Sequence, residues 1–79
     1  MEIIYSKPAV KSIKELNNHY KQRIKTAIEN IPLGDIRKLQ GYKNIFRLRV
    51  GDYRIIYKTT ENGIYIEDIL PRGSAYKRL

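Results

Sequence analysis

The sequence contains no cysteine and a single histidine. Without thiols there is no disulfide, no thiolate nucleophile and no cysteine-based zinc site, and one imidazole cannot build a histidine-rich metal centre or most catalytic triads. Most familiar active-site chemistries are thereby excluded. No run approaches the roughly 18 apolar residues of a membrane span, and Met1-Glu2-Ile3-Ile4-Tyr5 has neither a basic leader region nor a long apolar stretch. A soluble, cytoplasmic protein with no membrane partner is expected. Negative charge is also scarce: eight Asp and Glu stand against sixteen Lys and Arg, a formal net charge of +8 on 79 residues. That surplus favours an anionic partner, whether nucleic acid, acidic protein or anionic membrane surface, and composition alone does not choose among them.

A chain of this length buries only about 60% of its unfolded surface, so one domain over residues 1–79 is expected, every element sharing one core. With 42% apolar and 30% charged residues, it is too hydrophobic for a disordered basic tail. The five glycines and three prolines lie between or at the ends of periodic segments. Residues 2–6 read as a short strand, and Ser6 or Lys7 precedes Pro8, which suits the first turn of a helix. Val10, Ile13, Leu16, Tyr20, Ile24, Ala27, Ile28 and Ile31 then recur at steps of three and four. One helix over 8–31 would be about 36 Å long, too long for so small a domain to cover. A break at Asn17-Asn18 solves this, because asparagine tolerates the left-handed conformation that ends a helix and can cap the next. Two antiparallel helices, 8–16 and 18–31, are predicted.

Residues 32–42 read as a connection with Ile36 and Leu39 tucked against the core. After Gly41 the period changes to two. Residues 45–50 and 53–58 alternate about a Gly51-Asp52 turn, and Asn62-Gly63, a type I′ dipeptide, leads to a third strand at 64–70. The predicted fold class is α+β in the order β-α-α-β-β-β, a small antiparallel sheet with a two-helix hairpin on one face and a basic tail at 71–79.

A two-residue turn at Gly51-Asp52 sorts the faces. Phe46, Leu48, Val50, Tyr53, Ile55 and Tyr57 point to the helices, and Arg47, Arg49 and Arg54 share the other side. Like charges directly opposite destabilise a strand pair, so Arg49 facing Arg54 breaks a rule that folding alone would keep. Arginine offers a planar fork of donors suited to phosphate oxygens, and the cluster reads as a phosphate-binding surface. The competing reading is a solvated sheet face balanced by Glu67 or other carboxylates. Lys11, Lys14, Lys21 and Lys25 lie on polar helix faces where basic residues are ordinary. On the tail, Arg72 and Tyr76 stand four residues apart, suited to taking a phosphate and to stacking on a base or handling a proton; a frayed cationic end is the alternative. Tyr5, Tyr20, Tyr53 and Tyr57 read as core residues with a polar tip, and His19 as a surface or capping residue. Asp68 falls opposite Tyr57 on the helix-packed face, so either it bonds a tyrosine hydroxyl or the register differs there.

The stretch from Tyr42 to Tyr57, Tyr-Lys-Asn-Ile-Phe-Arg-Leu-Arg-Val-Gly-Asp-Tyr-Arg-Ile-Ile-Tyr, with Lys38-Leu39-Gln40-Gly41 before it and the arginine-glycine-x-x-tyrosine tail after it, resembles the core of the RelE/ParE superfamily of type II toxins. The resemblance spans essentially the whole chain without separating the branches. For the RelE branch it implies a toxin that enters the ribosomal A site and cuts mRNA, neutralised by a RelB-like antitoxin that wraps it. Carried over, it makes Arg54, Arg72 and Tyr76 catalytic residues and Arg47 and Arg49 RNA phosphate-binding residues. The implied chemistry is attack of a ribose 2′-hydroxyl on the adjacent phosphate, with no metal or cofactor. This chain has arginine at 47 and 49 where the best-known pattern has lysine, and an arginine stays protonated, so neither is an ordinary general base. Proton transfer then falls to Tyr76, with its pKa open to lowering by the arginine field. The alternatives are a ParE-like toxin that blocks DNA gyrase and a non-catalytic RNA-binding module. Charge alone predicts an antitoxin acidic at its contact.

Overall fold

A computed structural model describes residues 2–71 of the chain. The first strand, β1 (Glu2–Tyr5), runs directly into helix α1 (Lys7–Glu15) through Ser6, whose extended backbone and buried hydroxyl make it the helix N-cap. Its Oγ accepts the Ala9 N–H at 3.1 Å and donates to the Glu67 carbonyl at 2.6 Å. One side chain thereby satisfies an open helix amide and fixes the helix start to a distant strand. Pro8 occupies the first turn, where a missing amide proton is no loss.

The break between the helices falls where the sequence places it, by a different device. Leu16 leaves the helix in an extended conformation, and Asn17, also extended, accepts the Tyr20 N–H at 2.9 Å to cap α2 (Asn18–Glu29). No non-glycine residue among those described has positive φ, so capping alone makes the break and no left-handed asparagine is involved. The helix stripe is buried at Ile24 and Ile28, with Ala9 from α1, against Leu48, Val50, Ile55, Tyr57, Ile64, Ile66 and Ile69 of the sheet. Val10 is left exposed instead. It lines a groove between the helices with Tyr5 and Ile13, rimmed by Lys14, Lys21 and Lys25.

The α+β class and the helix pair on one sheet face agree with expectation, while the sheet needs two corrections. It has five strands in the order β1-β5-β4-β3-β2, and it is mixed: β1 lies parallel to β5 (Gly63–Pro71). The additional strand, β2 (Asp35–Lys38), occupies what reads in sequence as a connection and pairs antiparallel with β3 (Ile45–Val50). Four residues with Ile36 as their lone apolar member carry too little alternation to be recognised, and pairing along a sheet edge supplies the order that pattern does not. Between β3 and β4 (Tyr53–Thr59) the register is as derived, with Val50 opposite Tyr53 and Arg49 opposite Arg54. Gly51 takes φ +55° at the first turn position, and Asp52 does not share that sign, the pattern of a type II′ turn.

The β4–β5 connection departs from the type I′ expectation. Gly63 has no positive φ and already belongs to β5, so residues 60–62 make the connection, with the Thr60 N–H donating to the Gly63 carbonyl at 2.8 Å. Glycine is needed there for proximity: a Cβ on Gly63 would lie 2.6 Å from the Glu2 amide nitrogen and 2.8 Å from its carbonyl carbon, and would collide with its carbonyl oxygen. Further along, Tyr57 pairs with Ile66 but Ile56 pairs with Asp68, so Glu67 is an extra residue in a β-bulge. The turn register by itself would bring Asp68 opposite Ile55, still on the helix-packed face, and the bulge moves it opposite Ile56 on the other face, so it does not lie opposite Tyr57 as expected. The Glu67 carbonyl is the one that Ser6 takes up.

Two measurements follow from this architecture. Gly63→Ala is expected to lower unfolding free energy by about 1–3 kcal/mol in urea denaturation, with faster amide exchange along β1. Burial raises the pKa of Tyr57 above 10.0, and burial, then the nearby Glu29 carboxylate, raises that of Tyr5. Above pH 10 the unfolded chain releases phenolic protons that the folded chain still holds, so stability falls as pH rises through the folded values and is unaffected by these groups below that window. Tyr57→Phe should flatten the alkaline part of a stability–pH curve, and an unchanged slope would contradict the burial argument.

Candidate nucleic-acid interface

The sheet face away from the helices is built by strand alternation. Register places Asp35 and Arg37 of β2, Arg47 and Arg49 of β3, Arg54, Ile56 and Lys58 of β4, and Tyr65, Asp68 and Leu70 of β5 on it. Arg47, Arg49 and Arg54 are thus brought to one face. They are not equivalent. The Arg47 guanidinium lies 3.6 Å from the Asp35 carboxylate, and its side chain is only 17% exposed. Arg49 and Arg54 are exposed cross-strand partners, and among the described residues neither has a carboxylate within 4.0 Å. Opposed Cβ atoms on neighbouring strands are about 5 Å apart, which lets two guanidinium forks converge on one phosphate. The mutual repulsion of Arg49 and Arg54 is relieved when an anion enters between them.

Ile56 adds a feature that alternation does not reveal. It faces away from the helices, lies outside the main core cluster, and is nevertheless only 3% exposed. Arg47 and Asp68 are its partners across the two neighbouring strands, and Arg54 and Lys58 are its like-facing neighbours on β4. The face is therefore a charged ring around an apolar centre, where charges interact more strongly than in open water. Toward β5, Lys58 pairs with Glu67 at 3.7 Å and stands 5.1 Å over the Tyr65 ring. Glu67 consequently balances Lys58, Asp35 is the carboxylate paired with Arg47, and Asp68 lies on the same face opposite Ile56.

Asp35 and Arg37 escape sequence reasoning because they belong to β2. Their one signal is that Asp and Arg flank Ile36 with period two, too short a pattern to carry weight by itself. Arg72 and Tyr76 lie outside the described residues. Among the described residues no group of three His, Asp or Glu converges in a way that would hold a metal, and no helix is long and apolar enough to cross a membrane.

Because Asp35 draws on Arg47, Asp35→Asn should strengthen anion binding at this face. In an amide chemical-shift titration with inorganic phosphate, residues 47–54 are expected to respond at lower phosphate concentration than in wild type. Stability should change by about 1 kcal/mol, since the Asp35 end of the pair is exposed to solvent. An unchanged titration would remove Arg47 from the anion-binding set.

Comparison with known proteins agrees with this fold. Residues 3–76 match the family model described as the ParE toxin of the type II toxin–antitoxin system parDE. The chain is 34% identical to Toxin RelE3 of Methanocaldococcus jannaschii, with 96% of each chain covered. Among solved structures, it is similar to the RelB-RelE antitoxin–toxin complex from Methanococcus jannaschii at 34% identity and a TM-score of 0.77, covering 96% of this chain and 98% of that one. It is also similar to the archaeal RelE-RelB complex from Pyrococcus horikoshii at 29% identity and a TM-score of 0.74, covering 94% and 97%. A match along nearly the whole chain, in sequence and in fold together, makes this protein a member of the RelE/ParE superfamily, the toxin of a toxin–antitoxin system.

Proposed function

We propose that the chain is a ribosome-dependent mRNA endoribonuclease that halts translation. The observation carrying this reading is the exposed, cross-strand pair Arg49 and Arg54, with Arg47 beside it, on the sheet face away from α1 and α2. In the proposed reaction a ribose 2′-oxygen attacks the adjacent phosphorus. The O2′–P bond forms, the P–O5′ bond breaks, and the products are a 2′,3′-cyclic phosphate and a 5′-hydroxyl. The 2′-hydroxyl proton must be accepted and the departing 5′-oxygen must be protonated. Arg54 and Arg72 stabilise charge developing on the non-bridging oxygens, while Arg47 and Arg49 hold the phosphate backbone. Tyr76 handles a proton, since the arginines stay charged. Arg72 and Tyr76 enter through the family resemblance and lie outside the described residues. No step calls for a metal or cofactor.

The proposed partners are the ribosome, its mRNA and a RelB-like antitoxin, the last supported by the RelB-RelE complexes among the similar structures. An acidic antitoxin contact suits the arginine face. A second reading, a gyrase-blocking toxin, takes its support from the ParE description of the matching family.

Induced expression with primer extension on cellular mRNA tests the choice. Wild type is expected to arrest growth with cuts placed in the reading frame. Arg54→Ala should lower cleavage by about 10²–10³-fold, and Tyr76→Phe should also restore growth. Toxicity indifferent to both substitutions would defeat the nuclease reading, and DNA damage with intact mRNA would replace it by the gyrase one.

A further inference from the structure

A second basic site lies around the edge of the sheet from the arginine face. The middle of α2 lies over the end of β3, and a cleft opens there between Gln22, Arg23 and Thr26 on the helix and Gly34, Arg49 and Gly51 on the other wall, with Leu48 and Val50 also lining it. Arg49 therefore borders both this cleft and the sheet face. Arg23 approaches from the helix side, and among the described residues it has no carboxylate within 4.0 Å.

Arg23 is held in place by neutral contacts. Its guanidinium lies 5.5 Å from the centre of the Tyr20 ring. Tyr20 packs edge-on against Tyr53 at 4.8 Å and donates its hydroxyl hydrogen bond to Asp52 at 3.3 Å. The missing side chain at Gly51 leaves room for the guanidinium: a Cβ there would stand 3.1 Å from Arg23 Nη1 and 3.2 Å from Tyr20 Cε1. A stacked arginine keeps its outward N–H donors free, and stacking restricts it in advance of any ligand. Gln22 and Thr26 add neutral donors to the same wall.

We infer that this cleft is a phosphodiester subsite, in which Arg23 and Arg49 take a backbone phosphate of an RNA strand that continues from the sheet face around the sheet edge. The inference rests on the nuclease reading for the nature of its ligand and adds to it a path and a residue. Arg49 is the shared point, with Arg54 on one side and Arg23 on the other. Such a contact reads no base, so its signature is electrostatic and independent of sequence.

The test uses the full chain and two unrelated 12-nucleotide RNAs whose 2′-oxygens are methylated, so that they bind without being cut, with affinity measured between 50 and 200 mM KCl. Arg23→Gln is expected to weaken binding of both RNAs several-fold and to reduce the slope of log affinity against log salt by about 0.7, the loss of one single-strand phosphate contact. Arg23→Lys should largely restore the slope. Thr26→Glu, which leaves the Tyr20 stack untouched, should weaken binding in the same way and guards against a folding defect in the Arg23 variants. The same variants measured on vacant ribosomes identify the source of the phosphate: a loss seen there and absent from the oligonucleotides assigns it to ribosomal RNA, and a loss seen with the oligonucleotides assigns it to the substrate strand. Unchanged affinity and slope in Arg23→Gln and Thr26→Glu on both RNA targets would overturn the subsite, as would a defect confined to antitoxin binding. Failure of the subsite alone leaves in-frame mRNA cleavage and its dependence on Arg54 intact, whereas failure of the nuclease reading removes the cleavage itself.

Discussion

The parallel contact between the first and last strands is the constraint on which the rest of the architecture depends. β1 has only four residues, and it gains a place in the sheet because Gly63 allows its backbone to approach β5 without interference from a side chain. From that anchor Ser6 binds the Glu67 carbonyl and caps α1 with the same hydroxyl. Sheet edge, bulge and helix start are therefore one connected arrangement. The bulge in turn lets Ile64 and Ile66 on one side of it and Ile69 on the other all reach the core. Without the extra residue, a strict alternation of two could not bury both sets.

The arginine face follows from the same geometry and is partly neutralised from within. Asp35 lies on the edge strand directly opposite Arg49 in register but takes Arg47 as its ion partner. This leaves Arg49 and Arg54, the exposed pair next to the hairpin turn, with no carboxylate within 4.0 Å among the described residues. A buried isoleucine beside them keeps water from the middle of the face. Charge that folding would disperse is thus concentrated beside a dry surface, an arrangement that favours an anion from outside.

The parts of the molecule legible in sequence are those governed by one dominant period. The helix stripe, the break at Asn17, and the sorting of Phe46 to Tyr57 between two faces all follow from local spacing, and the two-residue Gly51-Asp52 turn sets the Arg49–Arg54 juxtaposition. What escaped depends on distant partners. β2 is a strand because β3 lies beside it, since Asp-Ile-Arg-Lys has almost no pattern of its own. Asn62-Gly63 carries a strong hairpin signal, yet Gly63 is required by Glu2, 61 positions earlier in the chain, and the turn takes another form. The bulge at Glu67 is equally silent, since a single extra residue leaves no mark in an apolar strand. Asp35 escapes together with β2, to which it belongs. The helix lysines, read as solvated surface, fit that account in part, although three of them rim an apolar groove.

The hairpin that carries the arginines is gripped from both ends. At its turn, Tyr20 and Arg23 close over Gly51 and Asp52, and at its open end the Asn44 side-chain amide reaches the Thr59 carbonyl at 3.2 Å while Phe46 stacks on Tyr57. The spacing between Arg49 and Arg54 is consequently set during folding, before any ligand is present. An anion meeting this pair finds the two strands already at their spacing and has only the exposed side chains left to order, so the backbone share of the entropy of arranging the site is borne by the assembly of the core rather than by binding.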